Sequence, residues 1–447
     1  MHDKPTAEAV ELLQALIRNQ CVNTGDPGSG HEWRSAQALR SYLEEAGADL
    51  ATYEPTPGRE SLVARIEGSD PQAPSLLLLG HTDVVPVTPS DWRRDPFGGE
   101  LVDGEVWGRG AIDMLNLTCT MASAFAELTR SGFRPRGSLV YAAVADEEAG
   151  GLQGAGWLAE HAADAVGCDY VITESGGHVT RPEGRPAVTV AVAEKGVAWR
   201  RLRVRGTPGH GSMPYGVDNA LIKTAEIVRR LARYTSEPVL DDLWHGWVAG
   251  QDDLTGEQRA ALLDPGRVAD AIAGLDPLTA KMAHACIYTT FSPNKVTGGV
   301  KINVIPDEVV LDVDIRTLPG EDDAAVHRHL VEALGELTAD VTVEALRWSS
   351  GATRSPTDTP LYEALGRVVG YAYPGATLLP RLIVGGTDAR YFRQRGAVAY
   401  GFGLFSPGVT QRDLSTRFHG IDERVDVESL RLTTEAWLNL CRDFLDG

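Results

Sequence analysis

The sequence predicts an α/β fold: a three-layer domain around a mostly parallel sheet, interrupted by an inserted α+β domain. Three observations predict it. Up to residue 194, short apolar strands alternate with stretches of helical periodicity. The pattern then switches to strict two-residue alternation, the mark of a sheet with one packed face and one wet face. Near residue 348 the chain returns to apolar strands and a final helix. The expected divisions are therefore 1–194, 195–347 and 348–447, with the outer two forming one domain.

Each element has its own signal. Residues 7–18 place Val10, Leu13 and Ile17 on one helical face, and 35–46 repeat the pattern until Gly47 stops it. "SLLLLGHTD" (75–83) reads as a short buried strand running into a loop. "LTCTMASAFAELTRSG" aligns Leu117, Met121, Phe125 and Leu128 as a helix ending near Gly132. Strands follow at "GSLVYAAVA" and "DYVIT", with a helix near 154–165 between them. In the insert, "VAWRRLRVRG" sets Leu202 and Val204 against Arg201, Arg203 and Arg205. "DEVVLDVDIRTLPG" sets Val309, Leu311, Val313 and Ile315 against Asp312, Asp314 and Arg316. Helices are expected at 217–233, 322–337 and 426–445, while the acidic stretch 250–280 reads as loop.

Composition narrows the function class. A chain of 447 residues with 43% hydrophobic content has ample material for two or three cores. Its net charge of −20, from 62 acids against 42 bases, argues against nucleic acid or an anionic membrane as partner. Five scattered cysteines without a CxxC pair indicate neither a thiolate zinc site nor a disulfide framework. With no apolar signal core and no membrane-length run, a cytoplasmic setting is expected.

Chemistry concentrates at the strand ends. "LLLLGHTDVVP", "YAAVADEEAGG" and "YVITESGG" each leave a predicted strand through acids or a histidine. Open α/β sheets build their sites just beyond the carboxyl ends of such strands. Asp113 precedes a predicted helix, and His419 lies in "FHGIDERV" before the last one. The pool is His81, Asp83, Asp113, Glu147, Glu148, Glu174 and His419. Imidazoles mixed with carboxylates, without thiolates, suit zinc or a similar divalent ion in an open site. Two such ions would outweigh three carboxylate ligands and offset the cost of burying them. No HExxH or GxSxG motif is present, which removes the zincin and serine-hydrolase readings.

Taken together, "GHTDVVP", "DWRRDPFGGELVDGEVWGRGAIDM", "ADEEAGG", "TPGHGSMP", "KINVIPDEV" and "FHG" resemble the di-zinc aminoacylase/carboxypeptidase family of metallopeptidases. That family includes acetylornithine deacetylase, succinyl-diaminopimelate desuccinylase, aminoacylases and dipeptidases. The resemblance implies a zinc-peptidase-like catalytic domain with a ferredoxin-like lid and dimerisation domain. It implies two Zn2+ per chain, with Co2+ or Mn2+ as substitutes: His81 and Glu174 on one, Glu148 and His419 on the other, Asp113 bridging. By the same resemblance Asp83 orients His81, and Glu147 is the general base of a metal-bridged hydroxide. His210 stabilises the oxyanion, reaching the partner's site in relatives that dimerise. Asn303 and Arg316 grip a substrate carboxylate, and "GGTDAR" with Gly386 and Thr387 resembles the substrate loop.

The family's D-M-K-G is here Asp113, Met114, Leu115 and Asn116, and the chain from His210 to Asn303 is longer than in compact relatives. Asp146 has no assigned role beyond hydrogen bonding. The expected activity is amide-bond hydrolysis on a small substrate with a free carboxylate, in a homodimer. A peptidase is favoured through a tryptophan-bearing segment, "LDDLWHGWVAG", that would supply an apolar pocket. An N-acyl-amino-acid deacylase is the alternative, and an inactive binding protein on the same fold the competitor from another class.

Overall fold

The computed structural model describes residues 3–181, 184–346 and 349–446. The expected division at 347/348 falls outside the described residues. Among those described, a ten-stranded sheet dominates. Its centre is parallel: Leu139–Val144 beside Leu76–His81, then Tyr170–Thr173, then Val398–Gly401. Antiparallel strands flank this centre, with Ser61–Ile66 and Asp49–Tyr53 on one side and Ala187–Glu194 on the other. The last of these also carries Thr377–Ile383 as a parallel neighbour.

Helices cover both faces, which makes three layers. On one face lie Lys4–Arg18, Leu115–Arg130, Pro360–Ala372 and Val427–Leu445, sharing a core that includes Leu13, Phe125, Leu365 and Trp437. The other face carries the shorter helices Ala155–His161 and Ala389–Arg393, packed through Leu158 and Phe392. The first helix starts where its sequence directs. Asp3 accepts from the Thr6 amide at 3.1 Å, and a proline occupies the first turn, where no amide partner is lost.

A second, five-stranded antiparallel sheet is built from Gly196–Val197, Arg200–Arg205, Thr290–Gly298, Glu308–Thr317 and Val341–Ala345. Its buried face carries Leu202, Val204, Leu311, Val313 and Ile315, the residues whose alternation predicted it. Helices Ala220–Leu231 and Asp323–Leu334 cover that face through Ile227 and Leu330.

The stretch expected as loop is helical. Gly256–Leu262, Val268–Ala273 and Pro277–Ile287 follow the helix Asp242–Ala249. The first two are too short for hydrophobic periodicity to register, and Pro277–Ile287 buries only Ala283, Cys286 and Ile287, so it shows no regular apolar stripe. The start signals were nevertheless present: Thr255 forms a capping box with Gln258, and Asp276 caps a helix that begins with proline. Around this helical group the core is built on Trp244 and Trp247, stacked at 4.8 Å, with the Trp244 indole donating to the Leu262 carbonyl at 2.8 Å. The group leans on Thr377–Ile383 of the large sheet. Buried Lys195 donates to the carbonyls of Ala285 and Tyr288 and so satisfies the carboxyl end of Pro277–Ile287.

Candidate active site

Sheet order brings the site together. Leu139–Val144, Leu76–His81 and Tyr170–Thr173 are immediate parallel neighbours, so their carboxyl ends open side by side. His81 closes the middle strand, Glu147 and Glu148 follow one neighbour, and Glu174 follows the other. Asp113 arrives from the loop before Leu115–Arg130, and His419 from the loop after Gln411–Arg417.

Two donor sets result, sharing Asp113. His81, Asp113 and Glu174 form one, and Asp113, Glu148 and His419 the other, with donor atoms in each set within 4.8 Å of one another. Asp113 divides its carboxylate between them. Its Oδ1 lies 3.2 Å from His81 Nε2, and its Oδ2 lies 2.7 Å from His419 Nε2. Glu174 Oε1 is 3.9 Å from His81 Nε2, and Glu148 Oε2 is 3.3 Å from His419 Nε2. Glu148 Oε1 is buried without any hydrogen-bond partner. An orphaned buried carboxylate oxygen costs free energy that a cation would offset, so this donor set fits a divalent metal pair.

Local backbone geometry explains how adjacent glutamates both enter the site. On a strand they would face opposite ways. Here Asp146 sits at φ 71°, Glu147–Ala149 form one 3-10 turn, and Gly150 and Gly151 follow at φ 100° and 70°. A Cβ on Gly151 would stand 2.2 Å from the Asp388 carboxylate, so the turn closes only with glycine there. Ser175 and His419 are also left-handed, at φ 80° and 54°; non-glycine residues of this kind cluster at functional sites.

The supporting network differs in detail from the expected one. His81 Nδ1 meets the main-chain carbonyl of Asp83 at 2.9 Å, while the Asp83 carboxylate stands 3.6 Å away. That carboxylate instead accepts from the amides of Glu147 and Glu148, at 3.2 and 3.0 Å, and from Asn23 at 2.9 Å. Asp83 thus fixes the imidazole through its backbone and the glutamate turn through its side chain. Asp146 gains a role as well: it accepts from the Gln153 amide at 2.9 Å and lies 3.5 Å from Arg59, whose partner is buried Glu32. Arg390 donates to the carbonyls of Gly150 and Thr387, tying the acid turn to the glycine-rich loop.

Glu423 went unnoticed in the sequence although it stands four residues beyond His419. Its carboxylate is fully buried, accepts from the amides of Ile112 and Asp113 at 2.7 and 3.1 Å, and pairs with Arg109 at 2.7 Å. Arg109 also donates to the His419 carbonyl. One ion pair therefore positions two expected ligands from distant parts of the chain. The acidic "IDER" was legible only as a polar loop.

Protonation follows from the crowding of acids. Burial pushes Glu147 and Glu174 well above the usual carboxylate range, and neighbouring acids add to this. Burial, with Asp113 nearby, pushes Glu148 up to about 7. Hydrogen bonds to Asp113 and Glu148 raise His419 to about 10. Burial opposes charge on His81, yet Asp113, Glu174 and Asp83 raise it overall.

A cavity of about 460 Å³ opens over this floor. Asp113, Glu147, Glu148, Glu174 and His419 line it on one side, and Leu117, Leu278, Met282, Leu382, Phe405 and Leu414 supply apolar walls. The extra segment does contribute to the pocket, but through Leu278 and Met282; its tryptophans are in the helical core. Gly386 and Thr387 also line the cavity, although the Thr387 hydroxyl and amide are both directed to Glu194. Arg316 faces an adjoining cavity with Glu147 and Glu148, and is paired with Asp314 at 2.8 Å.

His210 and Asn303 are brought to each other and away from these cavities. Gly209–His210 pairs with Val304–Ile305, and the Gly211 amide donates to the Asn303 carbonyl. Both residues are exposed, and neither lines the two cavities described above.

Residues 77–443 match the model of Peptidase family M20/M25/M40. The chain belongs to that family. Among curated relatives it is 27% identical to the N-fatty-acyl-amino acid synthase/hydrolase PM20D1 of Xenopus tropicalis, over 99% of this chain and 86% of the relative. It is 26% identical to the probable carboxypeptidase S-like 2 of Dictyostelium discoideum, over 86% of this chain and 74% of the relative. The M20 family metallo-carboxypeptidase Sso-CP2 of Sulfolobus solfataricus has a similar fold, with a TM-score of 0.70 at 19% identity over 99% of both chains. This M20 chain is a metallohydrolase of the peptidase and N-acyl-amino-acid hydrolase type. No helix among the described residues is long and apolar enough to cross a membrane.

Proposed function

We propose that the chain hydrolyses the amide bond of N-acyl amino acids, with the acyl group in the apolar cavity beside the two donor sets. The observation that carries this reading is the shared cavity: carboxylates and an imidazole on its floor, aliphatic and aromatic side chains on its walls. Pockets of this composition bind an apolar body and orient it by a few polar groups. The similarity to an N-fatty-acyl-amino acid hydrolase over nearly the whole chain favours an acyl substrate over a dipeptide. The likeness to carboxypeptidases keeps short peptides as the second reading.

His81 and Glu174 would hold one zinc, Glu148 and His419 the other, and Asp113 both. Bound there, the ions supply Lewis acidity at the scissile carbonyl. Glu147 takes a proton from the attacking water and returns it to the leaving nitrogen, a task suited to a carboxylate whose burial favours the protonated form. Asp83 and Glu423 keep the glutamate turn and the Asp113 loop in place. The segment 195–347 acts as lid and dimerisation domain. Exposed Met213, Tyr215, Val300 and Ile302 surround the His210 strand and would be covered in a dimer. His210 of the partner subunit then donates to the developing oxyanion, and Arg316 with Asn303 of the partner subunit grips the substrate carboxylate.

Metal-reconstituted protein assayed on matched N-acyl amino acids and dipeptides tests the proposal. Turnover that rises with acyl length is expected. Zinc-loaded protein that cleaves dipeptides but no acyl amino acid would transfer the reading to the peptidase alternative.

A further inference from the structure

On the wall of the cavity lies a cation that no group among the described residues neutralises. Arg381 comes from Thr377–Ile383 and is 9% exposed, with its head in the cavity lining. Its one hydrogen bond is to a neutral partner: Nη1 donates to His178 Nε2 at 2.9 Å. The other ring nitrogen of His178 meets the Thr189 hydroxyl at 2.7 Å. Since a guanidinium can only donate, His178 accepts at Nε2 and carries its proton on Nδ1. Burial and the nearby Arg381 charge both hold His178 well below its usual pKa, so the ring stays neutral. Cys286, the one neighbour that favours the Arg381 charge, is itself pushed up to about 11 by burial and stays a thiol. Among the described residues no salt bridge reaches Arg381, whereas buried Arg59, Arg109 and Arg393 each have a glutamate.

An unpaired guanidinium at this depth is costly unless a ligand supplies the counter-charge. His178, itself held by Thr189, takes one N–H of the fork and leaves the others for the cavity that Arg381 lines, where two parallel N–H groups match a carboxylate. We infer that Arg381, oriented by His178, anchors a substrate carboxylate within the apolar cavity, at a position separate from the acidic floor. The chemistry fits an acyl chain ending in a carboxylate or the α-carboxylate of the amino-acid half. Only the kinetic part of the test rests on the amide-hydrolase reading.

Three substrates distinguish the two sources: N-hexanoyl-leucine, N-adipoyl-leucine and N-hexanoyl-leucinamide. The zinc-loaded enzyme is expected to favour the adipoyl substrate over the hexanoyl one by about tenfold in kcat/KM, carried by KM. Arg381→Met should erase that preference while hydrolysing N-hexanoyl-leucine as well as before, and Arg381→Lys should restore part of it. If Arg381→Met instead erases the preference for leucine over leucinamide, the anchor holds the α-carboxylate and replaces Arg316 in that role. Equal losses on all three substrates, or unchanged ratios, would overturn the inference. Calorimetric titration of the zinc-loaded protein with adipate gives a readout independent of turnover. About tenfold weaker binding in Arg381→Met, and intermediate binding in Arg381→Lys, is expected; equal affinity in all three proteins sinks the idea even if no amide is cleaved. Thermal melting completes the test, because Arg381→Met should melt no lower than the wild type when the charge serves only a ligand.

Discussion

The acidic floor and the exposed two-stranded tip that carries His210 hold residues singled out by the same resemblance, yet they are built in opposite ways. At the floor, His81, Asp113, Glu148 and Glu174 are drawn from three strand ends and a loop, and their positions are fixed by buried groups such as Glu423 and Asp83. At the tip, His210 ends one strand of a two-residue pair and Asn303 immediately precedes the other, both in solvent among uncovered apolar side chains. A buried cluster of acids is preorganised because any other arrangement leaves charges unpaired. An exposed histidine has no such constraint, and its chemistry waits on whatever covers it. On the function proposed above, the floor is complete in one chain and the tip serves another.

The largest expected effect is at the floor. Glu147→Gln should lower kcat by about 10²–10⁴-fold with its metal content intact, whereas Glu148→Ala should lose metal as well. Metal analysis beside steady-state kinetics separates the two, and normal turnover by Glu147→Gln would remove it as the base. Next comes His210→Ala, with an expected loss of about 10²–10³-fold in kcat and no change in metal content. Mixing His210→Ala with Glu147→Gln protein and allowing subunit exchange sharpens the comparison. Activity should reappear if the tip serves the opposite subunit, and stay absent if it folds back on its own.

Smaller effects probe how the floor is held. Glu423→Gln should weaken zinc binding by about 10–100-fold, measured by competition with a chromophoric chelator. Smallest per step is the pH dependence of metal affinity. Glu148 at about 7 and His419 at about 10 hold protons that a metal must displace. Affinity should therefore rise with pH between about 6 and about 10, by at most about tenfold per pH unit for each proton released. A flat profile over that range would show that these two residues are not ligands.

Much of the fold was legible because its elements are long and strongly patterned. Leu115–Arg130 and Glu308–Thr317 repeat their apolar faces often enough to be read directly. The helices between residues 256 and 287 were not legible, since two give too few turns for a period to emerge and the third buries residues only at its end, although Thr255 and Asp276 were in plain view as caps. At the site, the motif residues His81, Asp113, Glu147, Glu148, Glu174 and His419 were found, while Glu423, Arg390 and Arg381 were not. Their roles depend on partners hundreds of residues away, such as Glu423 with Arg109 and Arg381 with His178.

By itself, the sequence determined the α/β class, the long patterned strands and helices, and a pool of acids and histidines at strand ends, because these are written in local spacing and residue chemistry; the division of that pool into donors and base came from the family resemblance. Only the tertiary structure decided which atoms meet. It placed three strand ends side by side, turned Asp83 toward the glutamate amides, buried Trp244 and Trp247, and left Arg381 in the cavity wall without a counter-ion among the described residues. Those outcomes are set by sheet order and packing across long loops, where each side chain finds its partner only once the rest of the chain has been placed.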